Sequence, residues 1–90
     1  MVSEPWRVIL STQAMTDKEK LKAANLADRA KGLLELLQQN PFTTPPRFEK
    51  LRGDLAGMYS RRINIQHRLV YSVDTKTRTV RVLRMWTHYE

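Results

Sequence analysis

Ser60-Arg61-Arg62-Ile63-Asn64-Ile65-Gln66-His67-Arg68-Leu69-Val70-Tyr71 is the stretch on which the fold turns. It reads as two strands joined by Asn64-Ile65-Gln66, a connection short enough for a hairpin. Working outward, the strands are expected over residues 57–64 and 67–73. Asp74-Thr75-Lys76-Thr77 is a second short connection, and a third strand follows over 79–86. Together they predict a three-stranded meander.

The upstream half has a different period. Trp6-Arg7-Val8-Ile9-Leu10 is a short β-rich run, a candidate first strand. Ser11, Thr12 and Thr16 are all candidate N-caps, and the Thr16 to Glu19 spacing fits a capping box. A helix is expected over residues 13–24, with a thin apolar face of Ala14, Leu21 and Ala24, and Asn25 marks a break. From Leu26, the apolar residues Leu26, Ala27, Ala30, Leu33, Leu34 and Leu37 form the stripe of an amphipathic helix packed on a core. Asn40-Pro41 ends it, because a residue before proline disfavours the helical region. Residues 42–48, with Thr43-Thr44-Pro45-Pro46, read as an irregular loop. Strand, two helices, then a meander indicate a single α+β domain over residues 1–90. Both helices should lie on one face of a small, mainly antiparallel twisted sheet.

Composition narrows the function classes. With no cysteine, neither a disulfide framework nor a thiolate metal site can form. Two histidines are too few for an all-protein zinc site without carboxylate help, and no metal or other cofactor is expected. Apolar runs are far too short to span a membrane, so a cytoplasmic protein with no membrane partner is the expectation. The formal net charge of +7 is uneven. Residues 1–45 hold six Lys/Arg against five Asp/Glu, whereas residues 46–90 hold ten against four. Eight of those ten are arginines, the side chain suited to bidentate phosphate contacts. A cationic excess in the half that holds both histidines points to a nucleic-acid partner.

Several motifs in this half resemble one family. Glu49-Lys50-Leu51-Arg52-Gly53-Asp54-Leu55-Ala56-Gly57, Tyr59-Ser60-Arg61-Arg62-Ile63, His67-Arg68-Leu69-Val70-Tyr71 and Met85-Trp86-Thr87-His88-Tyr89 occur in this order. In that order they resemble the Txe/YoeB branch of the RelE superfamily of bacterial toxins. The resemblance implies a RelE-like, microbial-ribonuclease-like fold and a toxin of a toxin–antitoxin module. It also implies an endoribonuclease that cuts messenger RNA in the ribosomal A site and so inhibits translation. The implied partners are messenger RNA, the ribosome and a cognate acidic antitoxin of the YefM/Axe kind, and the resemblance also allows a homodimer.

Metal-independent RNA cleavage sets its own requirements: a base for the 2′-hydroxyl proton, cations around the crowded phosphorane, and an acid for the departing 5′-oxygen. His88 suits the acid, because an ordinary imidazole pKa of about 6.5 keeps both forms available near neutral pH. The resemblance assigns it the same role; the plain alternative is an exposed histidine with no task. Glu49, flanked by Arg47, Lys50 and Arg52, matches the family's general base, although it also reads as a surface ion pair. Many relatives carry proline where Lys50 follows it. Arg68 sits in an apolar strand, where a guanidinium is costly unless it faces a cleft or a partner. By resemblance it holds the scissile phosphate, with a buried structural ion pair as the alternative. Tyr89 matches the family's terminal tyrosine, able to stack on a base or bond a phosphate, or else to pack.

Lys50, Arg52, Ser60, Arg61 and Arg62 complete the expected RNA-binding set. Strand alternation sends Arg61 and Arg62 to opposite faces, so they are not both expected to line one cleft. The resemblance matches Arg62 and Arg52 to basic family positions near the RNA, which makes them the preferred pair. His67 faces away from Arg68 by the same rule and reads as structural, while Tyr71, Met85 and Trp86 read as core or partner surface. Two further functions fit the residues: a relative that poisons a protein target such as gyrase, and a non-catalytic RNA- or ribosome-binding module.

Overall fold

The computed structural model describes residues 4–88. Among these, the chain runs β1 (Arg7–Leu10), α1 (Thr12–Ala23), α2 (Ala27–Gln39) and β2 (Phe48–Lys50), then a 3-10 turn (Gly53–Leu55). The meander follows as β3 (Met58–Arg62), β4 (His67–Asp74) and β5 (Thr79–His88). The sheet has five strands in the order β1-β5-β4-β3-β2, with β1 parallel to β5 and the other pairs antiparallel. The expected α+β architecture is therefore present, with one more strand than the sequence suggested.

Local chemistry accounts for the element ends. Of the three candidate caps, Ser11 serves: its Oγ accepts the Ala14 N–H at 3.0 Å. Asn25 stops α1 by adopting φ 59°, a left-handed conformation asparagine tolerates better than most residues. Leu26 N–H then reaches Leu21 O at 2.8 Å and Asn25 N–H reaches Lys22 O at 3.2 Å, which closes the helix end. The β3–β4 turn is held by Asn64 Oδ1, which accepts from the N–H groups of Gln66 at 2.9 Å and His67 at 2.7 Å. Asp74 does the same for Lys76 and Thr77 in the β4–β5 turn.

One cluster of buried side chains joins helices and sheet. Leu69 and Tyr71 of β4 and Val80, Val82 and Met85 of β5 meet Leu21 of α1 and Ala30, Leu33 and Leu37 of α2. The stripe expected on α2 is thus its buried face. On α1 the face differs from the expectation: Ala14, Asp17 and Leu21 are buried while Ala24 is exposed. The period is right, but a carboxylate occupies its centre.

β2 is the strand that sequence reading placed in and beyond an irregular loop. Three residues carry no detectable period, and it forms because β3 offers a free edge, pairing Phe48 with Arg61, Glu49 with Ser60 and Lys50 with Tyr59. The loop before β2 is fastened from below. Arg61, 1% exposed, donates through Nη1 to Pro46 O, through Nη2 to Pro41 O at 2.8 Å, and through Nε to Tyr71 Oη at 3.0 Å. Its guanidinium also lies 4.9 Å from the centre of the Phe48 ring. Arg61 was expected among the RNA-binding residues. It points instead into the protein, because alternation puts it on the core side of β3 and three oxygens there absorb its donors.

Candidate active site

The opposite side of the same strands holds the charged residues. In β4, Leu69 and Tyr71 face the core, so Arg68 faces away from it. Arg62 pairs with Arg68 in the β3–β4 register, Ser60 lies two residues along β3, and Glu49 pairs with Ser60 from β2. Four side chains from three strands therefore share one face at one end of the sheet. They line a cleft of about 460 Å³ together with Pro46 and Arg47. Three guanidinium groups against one carboxylate make it a cationic cleft.

Arg68 is its centre. Only 4% exposed, it places Nη1 3.1 Å from Glu49 Oε2 and 3.0 Å from Ser60 Oγ. Glu49 is more open, with its side chain 39% exposed. The ion-pair alternatives noted for Glu49 and Arg68 are thus one pair, and it forms a wall of the cleft. The Arg68 hydrogen bond, with its positive charge, holds the Glu49 carboxyl below the usual glutamate range, and Arg47 and Arg62 add to this. The carboxylate is consequently ionised at neutral pH. Because its folded pKa is depressed, the pair is intact above the ordinary glutamate range and is lost as pH falls through the lowered value. Arg68→Ala should move the Glu49 titration upward, a shift that a carboxyl-carbon NMR titration reads directly. An unmoved midpoint would mean that the pair seen here does not persist in solution.

His88 enters by backbone register. β5 pairs Thr87 with Arg68 and His88 with His67, so Thr87 holds the register position opposite Arg68. His88, one residue beyond, holds the position opposite His67, the residue that alternation turns away from Arg68. Glu49 on β2 and His88 on β5 stand three strand steps apart across the sheet and are also offset along it, Glu49 being level with Ser60 and Val70 and His88 with His67. Tyr89 lies outside the described residues. His67 is 4% exposed and stacks on Trp86 with ring centres 3.8 Å apart, in keeping with a structural role.

The remaining expected RNA-binding residues divide. Ser60 and Arg62 line the cleft with Arg68. Lys50 faces a separate shallow depression with Leu51, Gly57, Met58 and Tyr59, because alternation along β2 turns it away from Glu49. Arg52 is exposed at the start of the 3-10 turn and is not part of the cleft lining. Arg47 is the cleft residue that sequence reading passed over. Had β2 been recognised, the two-residue period would have placed Arg47 beside Glu49. Among the described residues, no group of three or more His, Asp or Glu side chains is arranged to hold a metal ion. None of the described helices is long and apolar enough to cross a membrane.

Comparison with known proteins returns a single theme. Residues 11–89 match the family described as YoeB-like toxin of bacterial type II toxin–antitoxin system. A toxin YoeB from Synechocystis is 35% identical over 74 residues, covering 82% of this chain and 77% of that protein. Among solved structures, a YoeB/ParE toxin from Agrobacterium tumefaciens superposes with TM-score 0.81 at 28% identity, over 92% of this chain and 99% of that one. The Staphylococcus aureus YoeB–YefM complex gives TM-score 0.77 at 32% identity, with 93% and 98% covered.

Proposed function

Because the chain belongs to the YoeB-like toxins of bacterial type II toxin–antitoxin systems, we propose that it is a messenger-RNA endoribonuclease acting in the ribosomal A site. The observation that carries this reading is the Glu49–Arg68–Ser60 cluster in a cleft with Arg47 and Arg62. It joins a proton acceptor to an anion-holding group on rigid strands, the supply that a phosphodiester requires.

In the proposed reaction, Glu49 takes the proton from the 2′-hydroxyl and the 2′-oxygen attacks phosphorus. The bond from phosphorus to the 5′-oxygen breaks, and His88 gives a proton to that departing oxygen. The products are a 2′,3′-cyclic phosphate and a 5′-hydroxyl end, with no metal in the sequence of steps. Arg68 holds the phosphate with help from Arg62 and Arg47, and Tyr89 contacts the substrate beside His88. When Arg68 turns from Glu49 to the phosphate, it releases the carboxylate from its strongest depressing partner. Glu49 becomes more basic as substrate arrives.

A cationic cleft of this kind also suits the acidic segment of a cognate antitoxin, which would compete with RNA for Arg68 and Arg62. The YefM partner in the staphylococcal complex supports that expectation.

Primer extension on a message translated in a purified system tests the reading. New 5′ ends inside translated codons are expected, whereas growth arrest with uncut message would favour a protein-target poison. Salt provides an independent check. If Arg47, Arg62 and Arg68 each neutralise one phosphate of a single strand, log affinity should fall with log salt at a slope of roughly −2. A slope near zero would remove RNA as the ligand.

A further inference from the structure

β5 is longer than its neighbour on one side. β1 stops at the Leu10–Val82 pair, so beyond Val82 that edge of β5 faces the start of α1 rather than a strand. The helix start then bonds the edge. Ser11 N–H donates to Val82 O at 2.9 Å and Ser11 Oγ–H to Leu83 O at 2.8 Å. Further along, Asp17 Oδ2 accepts from Met85 N–H at 3.0 Å and Trp86 N–H at 3.3 Å. Consecutive N–H groups of a regular strand point to opposite sides, so two of them on one oxygen require an irregular strand. The β4–β5 register shifts in this segment: Tyr71 pairs with Val82, Val70 with Arg84, and Arg68 with Thr87. β5 gains two residues on β4 over that span.

Asp17 is the negative group that fills this small nest of N–H donors. Fully buried, it is charge-compensated by Arg84, whose Nε lies 2.8 Å from Oδ2. Burial pushes its carboxyl up, but the hydrogen bonds from Arg84 and Met85 N–H together hold it below the usual aspartate range. A carboxylate in the centre of an apolar helix face is expensive, and an apolar residue would serve packing better. What it adds is geometry. The bulge that it stabilises lies immediately before Thr87-His88, and the Trp86 stack on His67 holds the same segment from the β4 side.

We infer that Asp17 is a positioning residue: by holding the β5 bulge it sets the register at which the strand brings Thr87-His88 alongside His67-Arg68 of β4. This rests on the reading of His88 as the proton donor. No substrate contact by Asp17 is implied.

The test compares Asp17→Ala and Asp17→Asn in the full chain. A misplacement of the donor by about 1 Å costs on the order of 10²-fold in rate. Asp17→Ala should therefore lower kcat for ribosome-bound message by roughly that factor, with KM unchanged. Asp17→Asn keeps an oxygen for the bulge and should fall between Asp17→Ala and the parent, which also covers failure of Asp17→Ala to fold. A second readout is independent of activity: backbone amide shifts and exchange of Met85, Trp86 and His88 should change in both Asp17 variants, more in Asp17→Ala than in Asp17→Asn. Unchanged His88 signals, or a lower Tm with unchanged kcat in folded protein, would overturn the inference. An uncut message with the parent chain would overturn the nuclease reading instead, and the amide signals would still decide the role of Asp17.

Discussion

His88→Ala is expected to slow messenger-RNA cleavage by roughly 10²-fold or more while leaving binding almost unchanged. The reason is that a proton donor to the leaving oxygen acts in the transition state and adds little to ground-state affinity. Arg68→Ala should behave differently, damaging affinity and rate together, since one guanidinium holds the phosphate before and during bond breaking. Glu49→Ala should cost less than His88→Ala if the ribosome helps to orient the 2′-hydroxyl. Single-turnover rates and filter binding on the same preparations separate these cases. In growing cells the His88 variant should be tolerated where the parent arrests growth. Full toxicity and an unchanged cleavage pattern in a folded His88→Ala protein would sink the mechanism.

The largest expected stability loss is at Arg61, which the proposed chemistry does not use. Arg61→Ala removes the charged donor to Pro46 O and to the Tyr71 hydroxyl, and leaves Pro41 O with the Tyr71 hydroxyl at 3.1 Å. Hydrogen bonds made by a charged group contribute about 1.5–3 kcal/mol each, so losing this set costs at least about 3 kcal/mol. Domains of this size hold about 5–15 kcal/mol in total. At about 4–8 °C per kcal/mol, Tm should fall by roughly 12 °C or more. Arg61→Lys should recover only part of that loss, because an ammonium cannot supply three donors in a fixed fork. Thermal melts of the two variants provide the measurement. Wild-type Tm in Arg61→Ala would show that the loop from Pro41 to Pro46 is held by something other than this guanidinium. Since that loop leads into β2, any folded Arg61 variant should also disturb the Glu49–Arg68 pair.

These two residues mark where sequence reading held and where it stopped. Arg61 and Arg62 are adjacent, equally charged and equally compatible with RNA. Alternation said that they part and the resemblance favoured Arg62 for the RNA; the core's position is what holds Arg61 inside. Arg47, by contrast, was hidden because the short β2 has no pattern of its own.

What the sequence by itself determined is local. The Asn25 stop, the Asn64 and Asp74 turns, the α2 stripe and the meander all depend on groups within a few residues of one another, and side-chain chemistry decides them at that range. The motifs from Glu49 to Tyr89 carried the family for the same reason, since residue type and order suffice. The tertiary structure decided what depends on a partner far along the chain. β2 exists because β3 lends it an edge. Arg61 is inside because carbonyls 15 and 20 residues away accept its protons. Asp17 is buried because a bulge 68 residues later presents N–H groups to it. No spacing rule reaches such pairs, for a buried charge is tolerable only where folding has already assembled the dipoles that solvate it.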